Sequence, residues 1–331
     1  MFVEERIKLF VALGERLNSL TNDAKQELFV LAHNGNSWFT EESVKLALEG
    51  IGEFLKKDSL ENWLSQYDLK EVSPKRIGVI AAGNIPLVGF HDVMTVLLSG
   101  HHLMIKPSSD DTFLMKYVLN LLGDIDSRIV ERYSIVERLN EADAYIATGS
   151  DNSARYFKHY FKDKPNVIRA NRTSVAVLTG EESPEELEAL GQDVFKYFGL
   201  GCRNVSKLLI PSSFDLSRLL DTWEGYAAVG DHHKYRNNYD YNKSIYLVNR
   251  EPHLDNGFVL LRESPDLVSP ISVLYYSRFN STADIEEFLA NQKEKIQCVV
   301  GKNYIPFGQA QCPKVDDYAD GVDTMAFLSS L

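Results

Sequence analysis

Cys202 has the surroundings of a residue that does covalent chemistry. It stands in a glycine-rich stretch, FGLGCRN (residues 198–204), between a predicted helix and a predicted strand. The glycines let a ligand approach the backbone closely, and Arg203 beside the cysteine favours the thiolate, the form that attacks carbonyl carbons. The alternative is a small buried hydrophobic residue, the usual role of an isolated intracellular cysteine. The neighbouring residues favour a nucleophile.

The remaining cysteines and a pair of histidines carry weaker signals. Cys298 lies in an apolar run (residues 296–300) and Cys312 in a polar tail, so we expect both to be structural. Three widely spaced cysteines without a CxxC predict neither a disulfide framework nor a zinc site. His232 and His233 are adjacent on a polar stretch, where histidines are more often solvated. We expect no metal.

Asn84 follows the first strongly apolar run of the sequence, residues 76–82, in the stretch AGNIP (82–86). Ligands of open α/β sheets bind at the carboxyl ends of strands, and a side-chain amide there can donate a hydrogen bond to an oxyanion. The alternative is a turn that uses glycine, asparagine and proline for backbone reasons alone.

Two further polar stretches end apolar runs in the same way. IKPS (105–108) places Lys106 where its ammonium group can meet a cofactor phosphate or ribose, a solvated lysine being the alternative. ATGS (147–150) contains Thr148, Gly149 and Ser150 and precedes a predicted helix, whose N-terminus suits a pyrophosphate.

The elements that must position these residues alternate between strand and helix, which predicts βαβ units and parallel sheets. Residues 2–67 have a helical period throughout. The predicted strands are 76–82, 103–106, 144–147, 166–169, 174–178, 207–210, 244–248, 258–262, 271–279 and 297–300. The predicted helices between them are 90–99, 111–122, 183–198, 215–228 and 283–291.

This pattern predicts two doubly wound α/β domains preceded by a helical region. We place the helical region and a dinucleotide-binding domain in residues 1–175 and the cysteine domain in residues 176–305. The tail, residues 306–331, is expected to pack on the first domain or on a partner subunit.

Composition restricts the class of protein. The 331 residues are 44% hydrophobic, enough for large buried cores, and the net charge of -12 lacks the basic stripe of a nucleic-acid binder. Charged residues near the start argue against a signal peptide, and no apolar stretch reaches the roughly 18 residues of a membrane span. We expect a cytoplasmic protein.

Taken in order, these motifs resemble the aldehyde dehydrogenase superfamily, from about residue 75 to the end. The resemblance implies that Asn84 serves the oxyanion hole, Lys106 the adenosine ribose, Gly149 and Ser150 the dinucleotide, and Cys202 the nucleophile. Two later segments also match, DLVSP (266–270) and PFG (306–308). The first implies that Asp266 holds the nicotinamide ribose, with Asp where Glu is usual.

The residues within and around these motifs are similar to those of the acyl-CoA reductase branch of that superfamily, typified by LuxC. Oxidising members carry a Glu about thirty residues before the cysteine that activates water, whereas the matching stretch VIRANR (167–172) has no acid. General-base catalysis contributes roughly 10²–10⁴-fold, so its loss disfavours hydrolysis, while thioester exchange by a thiol remains available.

A second difference from the oxidising members concerns the choice of cofactor. Oxidising members often place Glu three residues after the ribose lysine, where this sequence has Ser109. Without that carboxylate the site tolerates a 2′-phosphate, so Lys106, Ser108 and Ser109 predict NADPH, with NADH as the alternative.

The resemblance therefore implies reduction of an acyl-CoA to an aldehyde through an acyl-cysteine. The alternatives are oxidation of an aldehyde to an acid, using Glu131, Glu137 or Asp266 as the base, and a silent nucleotide-binding scaffold. The partners expected are the acyl-CoA substrate and either a second copy of the chain or an aldehyde-accepting enzyme.

Overall fold

The computed structural model describes residues 1–69 and 73–331, which form two compact units. The first unit comprises Met1–Asn171 and Pro313–Leu331, and the second comprises Arg172–Cys312. The units divide at 171/172 and 312/313, near the positions 175/176 and 305/306 expected from the sequence. The first shift arises because the strand Thr173–Val177 pairs only within the second unit.

Four helices open the first unit, and each buries its apolar side. Threonine side chains cap two of them: Thr21 accepts from the Ala24 N–H and Thr40 from the Ser43 N–H, which satisfies amides that a helix leaves unpaired. The helices are α1 (Val3–Asn18), α2 (Asn22–Gly35), α3 (Glu41–Phe54) and α4 (Lys57–Leu64).

A five-stranded parallel sheet follows, in the order β3-β2-β1-β4-β5. Its strands are β1 (Arg76–Ile80), β2 (His102–Lys106), β3 (Tyr133–Ile135), β4 (Ala144–Thr148) and β5 (Asn166–Arg169). The helices between them are α5 (Phe90–Ser99), α6 (Thr112–Ile125) and α7 (Asp151–Tyr160). Because β1 and β4 are apolar along most of their length, they form the buried centre of a doubly wound sheet.

The second unit contains a six-stranded sheet in the order β11-β6-β7-β10-β9-β8, parallel except for the short strand β8. Its strands are β6 (Thr173–Val177), β7 (Val205–Pro211), β8 (Leu254–Asp255), β9 (Leu260–Glu263), β10 (Val273–Phe279) and β11 (Ile296–Gly301). Its α-helices are α8 (Pro184–Phe195), α9 (Ser217–Thr222), α10 (His233–Asn249) and α11 (Thr282–Asn291). The predicted fold class, two doubly wound α/β domains after a helical region, is confirmed.

One predicted strand was wrong, and two predicted helices were too long. The helix predicted at 183–198 is α8, which ends at Phe195. Residues 244–248 belong to α10, whose buried positions Tyr235, Tyr239, Asn242 and Tyr246 recur at helical spacing. The five-residue window was too short to reveal that period. The helix predicted at 215–228 is α9 followed by a 3-10 segment, Trp223–Asp231.

The C-terminal residues return to the first unit and end in helix α12 (Thr324–Ser329). The Tyr318 hydroxyl accepts from the Trp63 indole at 2.7 Å and lies 2.8 Å from the Tyr67 hydroxyl, which donates to Asp323. These bonds attach the tail to α4 and the residues after it. Among the described helices, none is long and apolar enough to cross a membrane.

Candidate active site

In the first unit, three predicted site segments lie at one edge of the sheet. Asn84 follows β1, Lys106 is the last residue of β2, and Thr148 is the last residue of β4. The strands are parallel and adjacent, with β1 between β2 and β4, so their carboxyl ends meet at the same edge. The side chains of Asn84 and Lys106 are exposed there.

A groove of about 880 Å³ opens at this edge beside β2. The predicted residues Lys106, Ser108 and Ser109 all line it. The motifs did not predict the rest of its polar lining, Thr112, Lys116 and Arg138, together with Glu137, which was considered only as a base. Three cations and one carboxylate therefore surround this groove, in a protein whose net charge is -12. Arg138 could not be placed at this edge from the sequence, because it follows β3, a strand of three residues that is too short and too polar to predict.

Thr148, Gly149 and Ser150 lie at the same edge but on the other side of β1 from that groove. Ser150 caps α7 by accepting from the Ser153 N–H at 3.2 Å. A Cβ on Gly149 would lie 2.8 Å from the Cβ of Ser153, so the close packing of this turn requires glycine. The turn presents the N-terminus of a ten-residue helix to the edge.

The loop that carries Asn84 is tightly constrained. Leu87 has a left-handed backbone with φ of 55°, a conformation that costs a non-glycine residue about 1–3 kcal/mol. A Cβ on Gly83 would approach the Ser108 side chain to 2.5 Å, so the loop packs directly on the segment that follows β2. Asp111 accepts from the Leu87 N–H at 2.8 Å. Burial raises the pKa of Asp111 to about 8, although that N–H bond acts in the opposite direction.

In the second unit, Cys202 follows three consecutive residues with left-handed backbones. Tyr197, Phe198 and Gly199 have φ of 52°, 57° and 77°. At the two non-glycine positions this costs about 1–3 kcal/mol each, and such strain is concentrated at functional sites. The Phe198 ring packs on His232, with ring centroids 4.5 Å apart. Cys202 itself is half-buried.

The buried side chain of Asn204 stabilises this turn through hydrogen bonds. It is 2% exposed, and its Oδ1 accepts from the Gly201 N–H at 2.8 Å. Its Nδ2 donates to the carbonyls of Asp193, Val194 and Lys196, at the end of α8. One amide therefore satisfies the end of a helix and fixes the residue before Cys202.

A buried carboxylate connects the same region to the PFG turn. Asp193 is fully buried and accepts from the N–H groups of Gly308, at 2.6 Å, and Ala310, at 2.9 Å. Burial raises the pKa of Asp193 to about 6, and these two donors act in the opposite direction. Arg203 donates to the Ala310 carbonyl at 3.2 Å. A carboxylate on the apolar side of α8 was the signal that sequence reasoning overlooked.

Asp266 is exposed, and the segment around it is attached to β7. Ser206 Oγ donates to the Leu267 carbonyl at 3.0 Å, and Lys207 Nζ donates to the Ser264 carbonyl. Lys207 is fully buried in β7, and burial lowers its pKa to about 8, while Asp266 and Glu263 act in the opposite direction. These bonds bring the segment of Asp266 onto the amino-terminal half of the strand that follows Cys202.

Of the remaining candidates, Cys298 and His232 have structural surroundings. Cys298 is buried in β11 with its sulfur 3.1 Å from Ser174 Oγ, and Cys312 is exposed. His232 caps α10 by accepting from the Tyr235 N–H. Within residues 1–69 and 73–331, no group of three or more His, Cys, Asp or Glu side chains is arranged to hold a metal ion.

The stretch 167–172 lacks an acid, but its Arg169 forms a buried ion pair with Asp92 of α5. Arg169 at the end of β5 is 3% exposed, and its Nη1 donates to both oxygens of Asp92 at 2.9 and 2.7 Å. Its Nη2 donates to Thr324 Oγ1 at 2.7 Å. The guanidinium group therefore joins β5, α5 and α12 within the first unit.

The fold is that of the aldehyde dehydrogenases. The chain matches the aldehyde dehydrogenase KauB from Pseudomonas aeruginosa with a TM-score of 0.67 and 13% identity, over 91% of this chain and 72% of that one. It matches a Mycobacterium tuberculosis aldehyde dehydrogenase, solved with NAD+, with a TM-score of 0.63 and 13% identity, over 87% and 71% of the two chains.

The chain belongs to the acyl-CoA reductase (LuxC) family, whose sequence profile matches residues 16–212, more than half of the chain. The resemblance inferred from the motifs is confirmed. A stretch of 152 residues is 25% identical to the long-chain acyl-protein thioester reductase of Aliivibrio fischeri. That match covers 41% of this chain and 31% of the relative, so the chain spans only part of the curated protein.

Proposed function

We propose that this protein reduces an acyl-CoA thioester to an aldehyde with NADPH, through an acyl group held covalently on Cys202. The observation that carries the proposal is the strained turn before Cys202, which Asn204 fixes through the Gly201 N–H. A fold tolerates such strain where it must present a particular side chain. Membership of the LuxC family supports a thioester as the substrate class.

In the proposed reaction, the Cys202 thiolate attacks the thioester carbonyl and forms a new C–S bond. By the family resemblance, the side-chain amide of Asn84 and the backbone N–H of Cys202 are assigned to the resulting oxyanion, and such donors contribute about 3 kcal/mol each. Collapse of the oxyanion breaks the bond to the CoA sulfur, which leaves as a thiolate. A bound nicotinamide supplies the hydride that reduces the acyl-cysteine. The carbonyl of the aldehyde then reforms as the Cys202 sulfur leaves.

The groove beside β2 fits a phosphorylated dinucleotide. Lys106, Lys116 and Arg138 supply positive charge there, opposed by the single carboxylate of Glu137 among the lining residues. We assign the 2′-phosphate of NADPH to this groove, with Ser108 and Ser109. By the family resemblance, Thr148, Gly149 and Ser150 are assigned to the pyrophosphate and Asp266 to the nicotinamide ribose.

Oxidation of an aldehyde is the second candidate, and Arg169 disfavours it. In the stretch where oxidising relatives carry their water-activating Glu, this chain has an arginine committed to Asp92 and Thr324. Of the other bases considered, Glu137 lines the groove that we assign to the cofactor. Without a base, thioester exchange is the more accessible fate of an acyl-cysteine.

Identification of the products formed from each acyl-CoA tests the proposal. We expect saturated acyl-CoAs, from acetyl- to palmitoyl-CoA, to release CoA and leave one acyl adduct, located by peptide mass spectrometry on Cys202. Addition of NADPH should then convert the adduct to one equivalent of aldehyde. Formation of the carboxylic acid instead would show that water hydrolyses the acyl-cysteine, and NADPH formation from an aldehyde and NADP+ would then establish the oxidising type of reaction. Absence of both an adduct and NADPH binding by calorimetry would leave the scaffold role.

Introducing a carboxylate at position 109 should reverse the cofactor preference. Ser109→Glu places a negative charge at the predicted 2′-phosphate site, and we expect kcat/KM for NADPH to fall about tenfold or more, equivalent to roughly 1.4 kcal/mol. The value for NADH should change little. Ser109→Gln, which has similar size and no charge, is the matched control. Equal NADPH values for the Glu and Gln variants would remove Ser109 from the phosphate site.

A further inference from the structure

Asp111 occupies a position that would normally cap a helix, yet its side chain does something else. It immediately precedes α6, where an aspartate ordinarily accepts from the second or third N–H of the helix. Its carboxyl group makes no such bond. Instead Oδ2 accepts from the backbone N–H of Leu87, in the loop that carries Asn84.

Burial of this carboxyl group costs free energy of folding, which indicates that the group has a role. Asp111 is 3% exposed, and among the described residues its Oδ1 is buried without a hydrogen-bond partner. Buried polar atoms are nearly always paired, so an unpaired one requires an explanation. The loop residues 83–89 contain no ionisable side chain, and Asp110 is the charged neighbour that acts on Asp111.

The contact reaches the Asn84 loop at its most constrained point. Leu87 is the left-handed residue of that loop, so its N–H has a direction that ordinary turns do not provide. Gly83, at the other end, packs against Ser108 and lies near the Cβ of Asp111. Ser108 and Asp111 therefore contact the loop on both sides of Asn84.

We propose that Asp111 is a positioning residue: its carboxyl group fixes the loop 83–89 and thereby sets the place of the Asn84 amide. This inference rests on the proposed function, in which that amide binds the oxyanion. Because burial raises the pKa of Asp111 to about 8, the group is predominantly a neutral acid at pH 7. Asparagine is then a close mimic that keeps the acceptor oxygen.

A double-mutant cycle between Asp111 and Asn84 tests the proposal. The measured quantity is the rate constant of CoA release in the first turnover, with the saturated acyl-CoA of highest activity. Misplacing a catalytic group by about 1 Å costs on the order of 10²-fold, so we expect Asp111→Ala to slow this step by that order. Asp111→Asn should restore most of the rate, and NADPH affinity should stay unchanged throughout.

The cycle separates positioning from general destabilisation. If Asp111 acts through Asn84, Asp111→Ala should have little further effect in an Asn84→Ala background. Additive losses, or a full loss in Asp111→Ala when Asn84→Ala is harmless, would overturn the proposal. The exposed neighbour is the matched control, and Asp110→Ala should leave the rate unchanged.

Hydrogen exchange of residues 83–89 provides a readout that does not depend on activity. Exchange should accelerate in Asp111→Ala and remain slow in Asp111→Asn and Asp110→Ala. If the wild-type protein forms no acyl adduct, the proposed function fails while exchange still tests whether Asp111 fixes the loop. Unaltered exchange in Asp111→Ala overturns the inference by itself.

Discussion

Cys202→Ala is expected to abolish both the acyl adduct and aldehyde formation, with a loss of at least about 10³-fold in kcat. No other nucleophile is available in the proposed reaction, and the covalent step is the one that makes the acyl group reducible. Binding of NADPH should be unaffected, because Cys202 does not line the groove assigned to the 2′-phosphate. Turnover and adduct formation are measured with the same preparation.

Two matched variants define what the loss means. Cys312→Ala removes an exposed thiol and should leave activity unchanged. Cys202→Ser keeps the size of the side chain but substitutes an alcohol, which is a far weaker nucleophile near neutral pH, so its activity should also be very low. Wild-type turnover in Cys202→Ala would refute the covalent mechanism. A loss shared with Cys312→Ala would indicate nonspecific damage instead.

The sequence was sufficient for the central strands of the first unit and for their carboxyl ends. Apolar runs such as 76–82 and 144–147 form central strands because a parallel sheet covered on both faces leaves no polar side. Asn84, Lys106 and Thr148 then share one edge, since adjacent parallel strands end together. That part of the candidate site follows from local patterns and one topological rule.

The contacts that hold the site do not follow from local patterns. Asp111 bonds to a residue 24 positions away, and Asp193 bonds to Gly308 across 115 positions. The left-handed backbone of Tyr197 and Phe198 is also hidden in the sequence, since both residues ordinarily avoid it. Tertiary packing imposes these features, and packing partners are not encoded in the spacing of nearby residues.

Arg169→Met should produce the largest loss of stability. It removes the partner of Asp92, whose side chain is 9% exposed, and leaves a buried charge without compensation. Breaking a buried pair from one side costs about 3–5 kcal/mol. We expect the free energy of unfolding, from urea denaturation, to fall by that amount. Hydrogen exchange should accelerate in β5 and α12, the elements joined through Arg169 and Thr324.

The exposed ion pair Arg76–Glu141 is the matched control. Its atoms are 2.8 Å apart, as close as those of the buried pair, but its side chains are 51% and 73% exposed. Solvent screens such a pair, so Arg76→Met should cost about 1 kcal/mol or less. In the double variant Asp92→Leu/Arg169→Met, no buried charge remains and much of the stability should return. Equal losses for Arg169→Met and the double variant would show that packing, rather than charge, is what Arg169 contributes.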